Sequence, residues 1–255
     1  MAEYVVVDKE QLEADITTVA DAIREKGGTS EQLPFPNGMA DAVRGIQSGG
    51  GEDLMQYVVD FRSMFSNVEF PTDSVLDLNL KNLGKKINTS GNYAEFDYVF
   101  QSANGLKKII CRTPNENVRV SMYQTFNRTT ATEIDLSEFP VLIYSATQTF
   151  YYNSSVEIIK GTLRFADDMK NVANMFGYAS KLKEVRFEEN NIRLSIVFAS
   201  CKLLSNESIQ SIIDGLADLT GQTAQTITWH KDIEAKLSEE QKAQITSKNW
   251  TIAFQ

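Results

Sequence analysis

The stretch MFGYASKLKEV, residues 175–185, recurs in altered form along the chain. Its relatives are VFQSANGLKKI at residues 99–109 and FASCKLL at residues 198–204. Around these segments five phenylalanines fall into register, separated by 26, 24, 26 and 22 residues: Phe100, Phe126, Phe150, Phe176 and Phe198. A small or polar residue follows each of them three positions later: Ala103, Thr129, Asn153, Ala179 and Cys201.

Two strand-like runs follow each phenylalanine. The first kind is KKIICR, EIDLS, VEIIKG and KEVRFEE, and the second is VRVSM, VLIYS, TLRFAD and IRLSIVF. A unit of about 24 residues with two short strands and one inward aromatic residue cannot bury its apolar edge alone. The middle of the chain is therefore predicted to be a stack of such units. An earlier, degenerate unit is predicted around Met64, Phe65 and the alternating leucines of LDLNL.

The residues after 204 break this period. SNESIQSIIDGLADL predicts a helix with one apolar face, made by Ile209, Ile212, Ile213 and Leu216. TITW predicts a strand, and WTIAF predicts a final strand. SEEQKAQITSKN predicts a second helix opened by a capping box of Ser238 and Gln241. Because stacked units need an end that shields the last one from water, this region is predicted to be a cap.

The first 48 residues predict two short amphipathic helices. One apolar face is made by Leu12, Ile16, Val19, Ala20 and Ile23. Gly27 and Gly28 end that helix, because glycine takes the left-handed conformation at a C-cap without steric cost. In LPFPNG, Asn37 can cap a second helix. The run SGGG at residues 48–51 then marks a flexible linker.

Composition and charge exclude several classes of protein. The chain has 255 residues, 42% hydrophobic residues and a net charge of −9, so nucleic acid is not expected as a partner. No window approaches a membrane span, and MAEYVVVDKE does not fit a signal peptide. Cys111 and Cys201 are interpreted as free buried thiols of a protein made in a reducing compartment, with a disulfide between them as the open alternative.

Enzymatic chemistry has little support in the residues. The one histidine, His230, is interpreted as an ordinary surface or strand residue. The acidic pairs Asp167-Asp168 and Glu188-Glu189 are interpreted as solvated charge, because adjacent acids on a strand point to opposite faces. Neither cysteine has a neighbouring basic residue that would activate it. We therefore expect no enzymatic activity, no catalytic residue, no metal site and no cofactor.

The tyrosines allow two interpretations. Tyr152 and Tyr178 each stand two residues after a register phenylalanine, so they are predicted to lie above one another. Such a ladder can simply seal the edge of the stack. It can also form a platform for glycan contact that uses Tyr151 and Asn153 as well.

Two parts of the chain resemble known families. The motif FASCKLL and its relatives resemble the BspA-type leucine-rich repeat of bacterial surface proteins and phage tail proteins, over roughly residues 60–204. Thr132 and Val156 stand where that repeat has leucine, and only Cys201 retains its cysteine. The segment from LSNESIQ to NWTIA is similar to the C-terminal segment that closes such repeats in phage and prophage proteins of Firmicutes.

The segment ADAIREKGGTSEQLPFPNGMADAV resembles a short N-terminal module of phage tail, fibre and minor structural proteins. In that family the module is an attachment piece that precedes a variable domain. The resemblance and the apolar stripe together imply an anchor interface with the virion, made by Ile23, Leu33, Phe35, Pro36, Met39 and Val43.

The expected fold class is α+β, with an N-terminal helical hairpin, a leucine-rich-repeat, β-solenoid-like middle and a small α/β C-terminal cap. The expected domains are a virion-attachment module at 1–48, a glycine linker at 49–53, a leucine-rich-repeat solenoid at 54–204 and a capping subdomain at 205–255.

The function that the resemblances imply is that of a bacteriophage virion structural protein, a tail fibre, tail tip or capsid-decorating fibre. It would be made in the host cytoplasm, join other virion proteins through its N-terminus as a homo-oligomer, and present a surface to a host glycan or protein without inserting into a membrane. The alternatives are a bacterial cell-surface leucine-rich-repeat adhesin, which lacks support because export and wall-anchoring signals are not recognised, and a tail-spike-type glycan hydrolase.

Overall fold

The computed structural model describes residues 58–255. Within them lie eleven strands, two α-helices and one 3-10 helix. The strands are β1 (Glu69–Asn79), β2 (Ala94–Glu95), β3 (Asn104–Arg112), β4 (Arg119–Ser121), β5 (Glu133–Glu138), β6 (Leu142–Ser145), β7 (Ile158–Leu163), β8 (Glu184–Phe187), β9 (Ile196–Phe198), β10 (Gln225–Trp229) and β11 (Trp250–Phe254). The helices are α1 (Asn206–Gly215), the 3-10 helix (Lys231–Lys236) and α2 (Glu239–Ser247).

Parallel pairing between strands about 25 residues apart builds the largest sheet. It has five strands in the order β1-β3-β5-β7-β8. Ile109 of β3 pairs with Leu76 of β1 and with Ile134 of β5. Ile109 and Ile134 are buried, whereas the residues on either side of them along the strands face outward, as expected of a sheet with one face on the core.

Two further parallel sheets have three strands each. The first has the order β2-β4-β6, and its strands β4 and β6 are formed by the second strand-like runs VRVSM and VLIYS. The other has the order β11-β10-β9, and Trp229 at the end of β10 pairs with Phe198 of β9. This pairing joins the segment after residue 204 to the preceding strands.

A column of stacked rings runs through the core, and we call it the phenylalanine column: Phe65, Phe100, Phe126, Phe150, Phe176 and Phe198. Successive ring centroids lie 5.7, 5.2, 5.4, 5.5 and 4.9 Å apart, and Trp229 continues the column 5.5 Å beyond Phe198. These distances match the spacing of paired strands, so one ring occupies each layer. The predicted register of the five phenylalanines is confirmed.

The small or polar residue three positions after each phenylalanine also has a physical reason. Thr129 Oγ1 donates to the carbonyl oxygen of Ala103 at 3.0 Å, and Asn153 Nδ2 donates to that of Phe126 at 3.3 Å. Each of these side chains therefore reaches a backbone carbonyl in the layer before it. A larger apolar side chain at these positions would leave those buried carbonyls without that partner.

The elements predicted after residue 204 are confirmed. Helix α1 buries its predicted isoleucine face, and Ser205 caps it by accepting from the amide of Ser208. Helix α2 begins with the capping box, because Ser238 and Gln241 each accept from the other's backbone amide. Lys248 Nζ donates to three carbonyl oxygens at the end of α1, at 2.7–3.2 Å, and burial lowers the pKa of that amine.

The predicted fold class is wrong. The described residues form mostly parallel-strand sheets with few helices, an α/β-type fold, and not the predicted α+β fold with a leucine-rich-repeat solenoid in its middle. The physical reason lies in the pairing, because the runs predicted as two short strands of each repeat hydrogen-bond into continuous parallel sheets. Phenylalanine rather than leucine forms the stacked column.

The helical hairpin at 1–48 and the glycine linker at 49–53 lie outside the described residues. The domain boundaries of the sequence analysis stay predictions. Within residues 58–255, no helix is both long and apolar enough to cross a membrane.

Candidate functional site

Tight turns carry the phenylalanine column, and the turns of its first five phenylalanines, Phe65 to Phe176, have the same unusual backbone. In these turns the residues two before and two after the phenylalanine have positive φ angles of 53–62°, although none of them is glycine. These pairs are Ser63 and Asn67, Tyr98 and Ser102, Gln124 and Arg128, Gln148 and Tyr152, and Asn174 and Tyr178. The left-handed conformation costs energy for such residues, so the surrounding structure must hold it in place.

Hydrogen bonds between successive turns supply that support. The amide of Phe126 donates to the carbonyl oxygen of Thr149 at 2.9 Å, and that of Arg128 donates to Tyr151 at 3.1 Å. One layer further, the amide of Tyr152 donates to the carbonyl oxygen of Gly177 at 2.9 Å. The turns are therefore fixed in register with one another, and their outward side chains form columns.

Three tyrosines and one arginine on these turns form the candidate site, which we call the tyrosine platform: Arg128, Tyr151, Tyr152 and Tyr178. The rings of Tyr152 and Tyr178 stack with centroids 4.2 Å apart and planes 7° apart. Tyr151 meets both rings edge-on, at 4.6 Å and 5.5 Å. Tyr152 is 41% exposed and Tyr178 is 52% exposed, so this aromatic stack lies at the surface.

Two contacts hold the platform in shape. The guanidinium carbon of Arg128 lies 5.0 Å from the ring centroid of Tyr152, which is within the range of a cation–π contact. The ring of Tyr151 packs over Gly177, where a Cβ would lie only 2.7 Å from Cδ2 of that ring. Any larger residue at position 177 would displace Tyr151, so this glycine makes room for the ring.

The pKa values of two platform hydroxyls, those of Tyr151 and Tyr178, are raised, so these two groups stay protonated at neutral pH. A hydrogen bond with Tyr152 raises the pKa of Tyr178 above its usual value. Desolvation raises the pKa of Tyr151. Protonated phenols both donate and accept hydrogen bonds, so the platform offers polar groups at the rim of an apolar ring surface.

Asn153 does not belong to this surface. Its side chain is fully buried in the core, where Nδ2 donates to Phe126, so the predicted glycan contact through Asn153 is wrong. The physical reason is its position three residues after Phe150, which points inward in every layer. The other predicted members, Tyr151, Tyr152 and Tyr178, are brought together.

A ladder of side-chain amides runs along the same series of turns. Gln101 Nε2 donates to Gln124 Oε1, and Gln124 Nε2 donates to Gln148 Oε1, each at 2.5 Å. Gln148 Nε2 donates no hydrogen bond within residues 58–255. Gln148 lies in the same turn as Tyr151 and Tyr152, so it brings a free amide donor to the turn that carries them.

Two other aromatic clusters are less exposed, because all four of their tyrosines are half-buried. Tyr93 stacks on Tyr144 at 4.9 Å, and the guanidinium of Arg119 lies 4.6 Å from the centroid of Tyr144. Tyr98 and Tyr123 meet edge to face at 5.1 Å. These contacts are those expected of packing, and the Tyr152–Tyr178 stack differs from them because it leaves ring surface open.

The residues considered for catalysis have structural roles. Cys111 and Cys201 are free, buried thiols, as predicted, and burial raises the pKa of Cys201 to about 12. His230 caps the 3-10 helix by accepting from the amide of Asp232 at its Nδ1 atom, a role the sequence analysis missed. Within residues 58–255, no group of three or more His, Cys, Asp or Glu side chains lies where it could hold a metal ion.

The predicted acidic pairs occur in turns rather than on strands. Asp168 accepts from Arg119 at 2.8 Å, and Glu188 accepts from Arg164 at 3.0 Å. Asp167 is almost fully exposed. Their charge is therefore solvated or paired with arginine at the surface, in agreement with the interpretation as surface charge.

Sequence reasoning missed Arg128 and Gly177 as parts of the site. A signal for Arg128 exists, since it stands two residues after Phe126 just as Tyr152 stands two residues after Phe150. Applying that spacing to every register phenylalanine would have found it. Gly177 has no such signal, because its role depends on where the ring of Tyr151 lies.

The predicted anchor residues lie outside the described residues: Ile23, Leu33, Phe35, Pro36, Met39 and Val43. Comparisons with family models, with curated proteins and with solved structures returned no match to this chain. Function is therefore argued from the residues of the chain and their geometry.

Proposed function

We propose that this chain is a bacteriophage virion structural protein that binds a host-surface glycan through the tyrosine platform. The single observation that carries the glycan part is the exposed stack of Tyr152 and Tyr178. An aromatic ring offers a flat apolar surface to the C–H face of a sugar, and the phenol groups at its rim can hydrogen-bond to the sugar hydroxyls.

Rigidity supports binding by this surface. The platform is fixed by hydrogen bonds between turns, so little conformational entropy is lost when a ligand binds. Tyrosine also supplies a large contact area with only two rotatable side-chain bonds. Gln148, whose Nε2 group donates no hydrogen bond within residues 58–255, replaces Asn153 as the amide donor of the proposed site.

A binding role is proposed rather than glycan hydrolysis. Hydrolysis of a glycosidic bond by the usual route needs two carboxyl groups that flank the bond. The turn segments that carry the platform, residues 122–132, 146–156 and 172–183, contain neither aspartate nor glutamate. The platform can therefore hold a sugar but has no acid of its own on those turns.

The virion part of the proposal is supported by the resemblance of residues 22–43 and of the segment after residue 204 to phage proteins. The proposed partners are other virion proteins, met through the N-terminal module, and further copies of the same chain, because virion parts are symmetric. The proposed location is the virion, after synthesis in the host cytoplasm.

Replacing Tyr178 with alanine is expected to lower binding to host cells and to a printed array of bacterial surface glycans by at least about tenfold, because central aromatic residues dominate such contacts. The free energy of unfolding should change by less than about 1 kcal/mol, because the side chain is half exposed. The matched control is Tyr144→Ala in the less exposed cluster of Tyr93 and Tyr144, which should keep full glycan binding. Equal glycan binding by wild type and Tyr178→Ala would rule out the platform as the site.

Replacing Phe35 with aspartate tests the virion part, because a charge in an apolar interface is costly. Wild-type chain is expected to join virions that lack it, and the Phe35→Asp variant is expected to join them at least about tenfold less, in a co-sedimentation assay. Tyr178→Ala should join normally. Failure of the wild-type chain to join would overturn the virion assignment, and unchanged joining by Phe35→Asp would overturn the anchor.

A further inference from the structure

Charge is distributed unevenly over this acidic chain. Four successive turn segments, which we call the turn face, are residues 122–132, 146–156, 172–183 and 198–206. They contain four cationic residues and no aspartate or glutamate: Arg128, Lys181, Lys183 and Lys202. The whole chain has 34 acidic and 25 basic residues. The turn face therefore carries positive charge on a protein whose net charge is −9, although a glutamate directly follows each segment: Glu133, Glu157, Glu184 and Glu207.

Three of these cations make no ion pair within residues 58–255. Lys183 Nζ lies 2.7 Å from Glu157 Oε2, so its charge is neutralised. Arg128, Lys181 and Lys202 make no such contact, although Lys181 is close enough to Glu157 to add to the lowering of its pKa that the Lys183 hydrogen bond causes. Arg128 lies over the ring of Tyr152 instead. Unpaired cations beside an open aromatic surface favour a ligand with negative charge.

One ring surface of the platform is open. The side chains two residues after the register positions form a column in the order Arg128, Tyr152, Tyr178 and Ser200. Tyr152 covers one face of Tyr178, and the next layer offers only the small side chain of Ser200, whose Oγ accepts from the amide of Tyr178 at 3.0 Å. The face of Tyr178 toward Ser200 therefore carries no ring of the described chain.

The groups around this open face suit a charged sugar. Leu203, in the same turn as Ser200, is 43% exposed and adds apolar surface. Lys181 follows Tyr178 by three residues in the same turn. Lys202 stands, in the next layer, at the position that Ser180 has after its own phenylalanine. Both lysines are exposed, one in the turn of Tyr178 and the other in the next turn.

We propose that the tyrosine platform binds an acidic glycan, with a pyranose ring on the open face of Tyr178 and a carboxylate or phosphate group of the glycan paired with Lys181 and Lys202. This inference rests on the proposed glycan-binding function and adds the class of ligand.

A single-stranded nucleic acid is the other ligand that combines rings with negative charge. Three unpaired cations would neutralise few phosphates, and nucleic-acid-binding domains are typically basic overall. This chain has a sequence pI of about 4.8, which opposes the approach of a long polyanion. An acidic glycan with spaced charges fits the turn face better.

The test uses full-length protein and an array of glycans printed in matched pairs, each a uronic acid or phosphorylated sugar beside its neutral counterpart. Acidic members should bind at least about tenfold more strongly than their neutral partners, and binding should weaken as salt is raised. The double variant Lys181→Gln, Lys202→Gln should lose that preference. Its matched control is Lys85→Gln, Lys107→Gln, which removes the same charge from exposed positions in earlier layers and should keep it.

Each result decides the inference. Equal binding of acidic and neutral partners would overturn it while leaving the proposed glycan-binding function intact. A preference for acidic members that survives in the Lys181→Gln, Lys202→Gln variant would also overturn it. If single-stranded DNA of equal charge displaces the acidic glycans from the protein, the inference is overturned and the ligand is a nucleic acid. Binding to no glycan on the array and to no host cell would overturn the proposed function itself.

Discussion

Replacing Phe150 with alanine is expected to lower the free energy of unfolding by about 3–5 kcal/mol. Phe150 is fully buried, with Phe126 at 5.4 Å on one side and Phe176 at 5.5 Å on the other. Its removal deletes two ring contacts and opens a cavity between two layers. The backbone around it cannot close that cavity readily, because both neighbouring turns are held at strand spacing by hydrogen bonds.

The measurement is urea unfolding of wild type and variant, followed by circular dichroism. The control is Phe150→Leu, which keeps most of the volume and should cost about 1.5 kcal/mol or less. Tyr152→Ala, two residues away on the exposed side of the same turn, should cost less than either. A cost below about 1 kcal/mol for Phe150→Ala would mean that the phenylalanine column does not hold the layers together.

Local signals in the sequence predicted several elements correctly. The capping box of Ser238 and Gln241 needs only residues three apart, and the apolar face of α1 needs only the helical period. The phenylalanine register was also predictable, since each ring has the same neighbours one layer away. These features depend on residue types at short or constant spacing.

The fold class was not predictable in the same way. A period of about 24 residues shows that units stack, but it does not show how far hydrogen bonding extends across them. In the structure, Ile109 and Ile134 belong to one five-stranded parallel sheet. Pairing between strands far apart in the chain, rather than the leucines expected at Thr132 and Val156, determines that architecture.

The candidate site likewise contains residues whose positions the sequence predicted and one whose position it did not. Tyr152 and Tyr178 were predictable as neighbours because they share a position relative to the column. Asn153 was misplaced, because the positive φ of Tyr152 turns the chain and points the next side chain into the core. A left-handed residue other than glycine leaves no compositional signal, so the direction of the side chains around it could not be derived from residue types.

Replacing Gly161 with alanine is expected to lower the free energy of unfolding by about 3 kcal/mol, from two separate costs. Gly161 lies in β7 with a φ of +86°, a conformation that strains any residue with a Cβ. The new Cβ would also lie 2.6 Å from the carbonyl carbon and oxygen of Leu136 in β5. That contact is with backbone in a paired strand, so relief requires β5 and β7 to separate in the middle of the five-stranded sheet.

Gly221 separates the two costs, because it has nearly the same φ, +78°, but nothing lies within 4 Å of the position of its Cβ. Gly221→Ala should therefore cost only the conformational strain, about 1 kcal/mol. The difference between the two variants in urea unfolding measures the contact with Leu136. If both variants lose the same free energy of unfolding, β5 and β7 can move apart without a measurable loss of stability. The pairing of these two strands would then be loose near Gly161. If Gly161→Ala loses about 2 kcal/mol more than Gly221→Ala, the close approach of the two backbones is the reason that position 161 requires glycine.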